Sequence, residues 1–270
     1  MSNKIILVPI NFSEQSIIAI EQSYNLAKFT DSELTLLYVD NGTIPDAKDK
    51  LEKISREASA KSGVKINTTV AKGNVYKEII KVAKILNPTM VIMGFNSSPK
   101  IRNIGTNSFR VLKELACPVI TIKGKKHKDG CKNIVLPLDI TEQTREKVKV
   151  AIEFAKFFDA TIRVISVRTP NELRHENKLI AYSHQVQKYI KSKKINCTIK
   201  TLEGNPISKL VVDYATEVDA DLIMIVSKTS LSIKELFSGT IAQEVVNISD
   251  IPVLSVRPLT KAYSKVGVGF

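Results

Sequence analysis

At 270 residues the chain is long enough for two ordinary domains, each with a core of its own. Hydrophobic residues at 43% and charged residues at 25% are globular values, which excludes a disordered chain. The formal charge of +13 invites a nucleic-acid partner, yet aromatics are only 6% and Trp is absent, so the basic and aromatic interleaving of single-strand binders is missing and a solvated, lysine-rich surface is expected instead.

The chain opens on an apolar run that predicts a strand over Lys4–Pro9. A helix is predicted over Ser13–Phe29, with Ile17, Ile20, Tyr24 and Ala27 as its sheet-facing stripe. Strands over Leu34–Val39, Ile66–Val70, Met90–Gly94 and Val119–Lys123 then alternate with helices over Pro45–Ser62, Val75–Leu86 and Thr106–Leu115. The polar stretch Gly124–Cys131, with two glycines, reads as a linker. Beyond it the alternation resumes, with Val148, Ala151, Ala155 and Phe158 as the stripe of the next helix. Ile5–Val8, Val91–Met93 and Leu222–Val226 are continuously apolar, the pattern of strands covered on both faces. Such alternation predicts βαβ units around a parallel sheet.

The chain also repeats itself. IILVPINFSEQS recurs as NIVLPLDITEQT, and one spacing separates Pro9 from Pro137, Asn11 from Asp139 and Val39 from Val167. AKGNVYKEIIKVA recurs as LEGNPISKLVVDYA, TMVIMGF as DLIMIVS, and IGTNSFRVLKELACPVITI as SGTIAQEVVNISDIPVLSV. The spacing grows only between matched segments, as changes in loop length require. This ordered series is a duplication, with one domain expected over 1–124 and a second over 132–260.

In an open parallel sheet, ligands bind beyond the carboxyl ends of the strands. After the first strand of each copy come Pro9-Ile10-Asn11-Phe12-Ser13 and Pro137-Leu138-Asp139-Ile140-Thr141. The Asp139 carboxylate could accept hydrogen bonds from an adenine amine or a ribose hydroxyl, and Asn11 could do part of this. Equally, both could shape the turn, with Ser13 and Thr141 as N-caps. After the fourth strand come Gly94-Phe95-Asn96-Ser97-Ser98 and Val226-Ser227-Lys228-Thr229-Ser230, followed by Gly105-Thr106 or Gly239-Thr240 opening a helix. A glycine lets phosphate approach the backbone, and a helix start offers unpaired N–H groups and a positive dipole end. The same residues also make an ordinary helix start, and Thr240 with Gln243 fits a capping box.

These motifs resemble the universal stress protein family, and the resemblance covers nearly the whole chain, twice. It implies an α/β fold of two tandem doubly wound five-stranded parallel-sheet domains, of the adenine nucleotide alpha hydrolase type. It also implies a stress-response regulatory or protective role, with ATP or AMP, together with Mg, as the ligand. ATP-binding members carry a strand-end Asp after the first strand and, after the fourth, a glycine, two residues, a glycine, nine residues, then glycine followed by Ser or Thr. By this resemblance the contacts in the first copy are Pro9, Asn11, Val39, Gly94, Ser97, Gly105 and Thr106. In the second copy they are Pro137, Asp139, Val167, Val226, Thr229, Gly239 and Thr240. The first copy departs from the pattern at Asn11 and Ser97, and its spacer to Gly105 is short. The second keeps Asp139 and Gly239-Thr240 but has Val226 and Thr229 at the two glycine positions. The retained carboxylate makes the second copy the expected site. The lost glycines leave a second reading, a nucleotide-free scaffold for another protein or a small apolar ligand.

Catalysis needs a nucleophile or base with an orienting partner, or a metal cluster. His127, His175 and His184 lie in the linker and in the long helical segment of the second copy, away from the strand ends, and no Walker A sequence occurs. The chain is expected not to be an enzyme, with at most slow ATP hydrolysis if Asp139 held magnesium. Cys117, Cys131 and Cys197 are odd in number and widely spaced, which favours reduced thiols. No apolar run nears the roughly 20 residues that span a bilayer, so a cytoplasmic protein with no membrane segment is expected. Self-association as a homo-oligomer, a dimer first, and an unidentified protein partner complete the expectation.

Overall fold

The β-branched runs fold as parallel strands, each followed by a chain segment that returns across the sheet. The computed structural model describes residues 4–95, 111–124, 130–139, 143–168, 173–226 and 236–256, apart from the side chains of 143–146, 173–177 and 236–240. The chain forms two compact units, Met1–His127 and Lys128–Phe270. Unit 1 contains β1 (Lys4–Ile10), α1 (Glu14–Thr30), β2 (Ser32–Asp40), α2 (Ala47–Ser62), β3 (Ile66–Lys72), α3 (Val75–Leu86), β4 (Met90–Gly94) and β5 (Val119–Ile122). Its strand order is β3-β2-β1-β4-β5, all parallel.

Unit 2 repeats this plan with β6 (Asn133–Leu138), α4 (Gln143–Phe158), β7 (Thr161–Arg168), α5 (Leu173–Ser192), β8 (Cys197–Glu203), α6 (Ile207–Glu217), β9 (Leu222–Val226), α7 (Leu236–Ile248) and β10 (Val253–Val256). Its order is β8-β7-β6-β9-β10, again parallel. Consecutive residues of a strand face opposite sides, and Ile6, Leu7 and Val8 are all buried, as are Leu222, Ile223, Met224 and Ile225. Both faces of each sheet are therefore covered, the doubly wound arrangement that the unbroken apolar runs predicted. Of the helix predicted over Thr106–Leu115, residues 111–114 are helical and 106–110 lie outside the described residues.

The duplication reaches the backbone. Gly73 and Gly204 adopt φ of 133° and 127°, where only glycine sits without strain, and each donates its N–H to the end of the unit's second strand, to the Asp40 carbonyl at 3.3 Å and the Arg168 carbonyl at 3.0 Å. Left-handed residues end matched helices as well: Asp31 with Asp159, and Asn87 with Asp219. Ser13 caps α1 as expected, its side chain accepting from the Ser16 N–H at 3.3 Å. Thr141 lies outside the described residues.

The buried stripe of α1 differs from the predicted one. Ile20 and Ala27 are buried, but Ile17 and Tyr24 sit on its flanks, and Ser16, Ala19, Ser23 and Thr30 face the sheet. The Ser23 hydroxyl donates to the Ile20 carbonyl at 2.6 Å and that of Thr30 to the Leu26 carbonyl at 2.8 Å. A hydroxyl satisfied by its own helix packs as a small residue, and hydropathy alone does not reveal this. In α4, Val148, Ala151 and Ala155 are buried as predicted, and Phe158 lies at the margin against Phe154 and Phe157.

The free thiols Cys131 and Cys197 are buried. Burial raises the Cys131 thiol well above its ordinary value, helped by the nearby Asp221 carboxylate, and burial pushes Cys197 up to about 11. The thiolate is the nucleophile, so alkylation of Cys197 in the folded protein at pH 8 should be slow and rise about tenfold per pH unit toward pH 11. The folded pKa exceeds the unfolded one, so above about pH 9 the unfolded chain loses its protons first and stability falls as pH rises. Mass mapping after iodoacetamide treatment should find Cys117, which is less buried, modified before the other two; equal labelling of all three in the native state would contradict these burial assignments.

Candidate functional site

Each sheet has one place where adjacent strands part. β1 pairs with β4 only at Ile6 with Met90 and Leu7 with Val91, after which β1 continues along β2 to Ile10 and β4 along β5 to Gly94. In unit 2, β6 pairs with β9 only at Ile134 with Leu222 and Val135 with Ile223, then follows β7 to Leu138 while β9 follows β10 to Val226. These are topological switch points, and the crevice at their carboxyl ends is where such sheets take ligands. The strand ends at Ile10–Asn11 and Gly94 in unit 1, and at Leu138–Asp139 and Val226 in unit 2, therefore border one crevice in each unit.

The two crevices differ. In unit 1, Asn11 is exposed and its side-chain oxygen accepts from the Ser13 N–H at 3.1 Å and the Ser13 hydroxyl at 2.6 Å. That carbonyl is used by the turn, the structural role that sequence left as one of two. Phe12, held at a left-handed φ of 62°, lies against the Tyr38 ring at 5.0 Å and beneath the Lys50 ammonium at 4.7 Å. Tyr38 is buried, and its hydroxyl has no hydrogen-bond partner among the described residues. A Cβ on Gly94 would fall 2.3 Å from the Gln15 carbonyl carbon and oxygen and 2.5 Å from the Ser16 nitrogen. The space this glycine leaves open is thus filled by the first turn of α1.

In unit 2 the matching positions carry different side chains. Val226 stands for Gly94, and Lys147 on α4 stands for the fully buried Ala19. Lys147 is itself only 4% exposed, and its ammonium donates to the Pro137 carbonyl. Pro9 and Val39 are buried and their matches Pro137 and Val167 half-buried, whereas Asn11 is exposed and Asp139 half-buried, and Gly94 and Val226 are both half-buried. Sequence reading passed over Lys147; its signal was a charged residue on the helix face shared with Ala151 and Ala155.

A family model described as the universal stress protein family matches residues 2–123 and again 130–257. The chain belongs to the universal stress protein family. A universal stress protein of Methanocaldococcus jannaschii is 27% identical over 143 residues, which are 46% of this chain and 84% of that one. The stress response protein NhaX of Bacillus subtilis is 24% identical over 94 residues, 35% of this chain and 56% of that one. Among solved structures, a functionally unknown protein of Pseudomonas aeruginosa PAO1 superposes with a TM-score of 0.75 at 19% identity, covering 95% of this chain and 93% of that one. A universal stress protein of Archaeoglobus fulgidus does so with a TM-score of 0.73 at 20% identity, over 94% and 96%. These structural likenesses show the fold, and their coverage shows that the tandem arrangement has counterparts.

Within this universal stress protein, Pro9, Asn11, Val39 and Gly94 lie at the carboxyl ends of β1, β2 and β4, and Pro137, Asp139, Val167 and Val226 at those of β6, β7 and β9. Ser97, Gly105, Thr106 and Thr229 lie outside the described residues. Gly239 and Thr240 fall inside α7, whose backbone turns helical at Leu236, several residues earlier than predicted. Thr240 is therefore a helical residue and not an N-cap, which removes the capping box with Gln243. His184 is exposed, and no three His, Cys, Asp or Glu side chains converge among the described residues. No helix among them is long and apolar enough to cross a membrane.

Proposed function

We propose that the chain is a stress-response regulatory or protective protein whose second unit binds an adenine nucleotide, ATP or AMP with Mg, at the carboxyl ends of β6, β7 and β9. The observation that carries this reading is the contrast between the crevices. In unit 1 the position after the strand is a neutral amide whose oxygen serves its own turn, and the space beside Gly94 is filled by α1, while in unit 2 the half-buried Asp139 supplies a charged carboxylate, the stronger acceptor for a base amine or ribose hydroxyl. Nucleotide occupancy then changes partner contacts or self-association, the protein working in the cytoplasm as a dimer and as a sensor with no catalytic turnover beyond slow hydrolysis.

Val226 favours a second reading, because a branched side chain at the strand end narrows the approach of phosphate to the backbone. On that reading the chain is a nucleotide-free scaffold for a protein or a small apolar ligand. Calorimetry with MgATP separates the two. The nucleotide reading expects one site per chain, weakened roughly tenfold or more by Asp139→Asn through loss of a charged acceptor. No heat of binding at millimolar MgATP would leave the scaffold reading standing.

A further inference from the structure

Lys147 is a cation in a place built for apolar residues. It lies on the sheet-facing side of α4 beside Val148 and Ala151, and the matched residue of unit 1 is Ala19, which is fully buried. Burying an ammonium is costly unless strong acceptors meet it. One acceptor is the backbone carbonyl of Pro137.

The direction of that carbonyl locates the charge. The Asn133 carbonyl accepts from the Asp221 N–H at 2.9 Å, so it points toward β9. Carbonyls alternate sides along a strand, so those of Val135 and Pro137 point the same way. Pairing of β6 with β9 stops at Val135, so the Pro137 carbonyl faces the opening between the diverging strands. The ammonium of Lys147 therefore stands at the switch point of unit 2, at a carbonyl two residues before Asp139. Pro137 and Asp139 are half-buried, which places the charge at the inner wall of an accessible crevice. Unit 1 has no counterpart, since its matched residue is alanine.

We infer that Lys147 is an anion-binding residue particular to the second unit: its ammonium holds the phosphate chain of the ligand at the β6/β9 opening, replacing the close backbone approach that Val226 obstructs. The inference rests on the nucleotide reading of this crevice and adds the residue that selects charged over uncharged ligands.

The test is calorimetry on the full chain with MgATP, adenosine and inorganic tripolyphosphate as separate titrants, for the wild type, Lys147→Met and Lys147→Arg. Circular dichroism checks that each variant is folded. Lys147→Ala, which copies unit 1, serves if the methionine variant is not. The expected result is a loss of roughly 10- to 100-fold in MgATP and tripolyphosphate affinity in Lys147→Met, partial recovery in Lys147→Arg, and unchanged adenosine affinity. Equal MgATP affinity in wild type and Lys147→Met would overturn the inference and leave the nucleotide reading intact. A parallel fall for adenosine and MgATP would overturn it too, assigning Lys147 a packing role alone. Lys147-dependent binding of tripolyphosphate without any binding of adenosine or MgATP would support the anion site while ending the adenine reading. Failure of the folded wild type to bind all three titrants would end both.

Discussion

Gly94→Val should destabilise unit 1 by roughly 3 kcal/mol, a large share of the stability of a domain this size. The cause is backbone against backbone. A Cβ at position 94 would stand 2.3 Å from the carbonyl of Gln15 and 2.5 Å from the nitrogen of Ser16, and neither can move without shifting the start of α1. Such a shift would also strain the cap in which Ser13 accepts from the Ser16 N–H. Unit 2 carries Val226 at the matched position, and its first helix differs as well, with Lys147 where α1 has Ala19. Urea unfolding with hydrogen exchange read on β1, β4 and α1 checks this. Wild-type protection in those elements would mean that the glycine is not required for packing.

Leu36→Ala should cost a similar amount, roughly 2–5 kcal/mol, by a different route. Leu36 lies at the middle of β2, fully buried, paired with Val8 of β1 on one side and Thr68 of β3 on the other. Cutting its side chain to a methyl group removes apolar contact area and leaves a cavity that a doubly covered sheet cannot collapse to fill. Differential scanning calorimetry should show a lowered transition, and exchange protection should fall in β1, β2 and β3. A change below about 0.5 kcal/mol, the size of an ordinary surface substitution, would contradict the buried placement of this strand.

The fold was legible because its signals were strong and repeated. Unbroken apolar strands such as Leu222–Val226 and matched glycines such as Gly73 and Gly204 report sheet burial and a backbone conformation, two constraints that sequence carries directly. The α1 stripe was misplaced because Ser23 and Thr30 pack inward with their hydroxyls satisfied within the helix, a tertiary choice that overrides hydropathy. The site was legible in position and less so in role. Strand order puts Pro9 and Pro137 at their switch points, but only coordinates reveal that Asn11 serves its own turn and that Gly94 is needed for a helix. Lys147 was visible as a lysine on an apolar face. Its meaning depended on the direction of the Pro137 carbonyl, which no residue pattern encodes.

The most direct test is a crystal structure of the full chain grown with MgATP. The account predicts one adenine nucleotide per chain, in unit 2, with the base or ribose within hydrogen-bonding distance of Asp139, a phosphate oxygen near the Lys147 ammonium, and no nucleotide beside Asn11. A nucleotide seated in unit 1, or no nucleotide at either switch point from saturating MgATP, would contradict it.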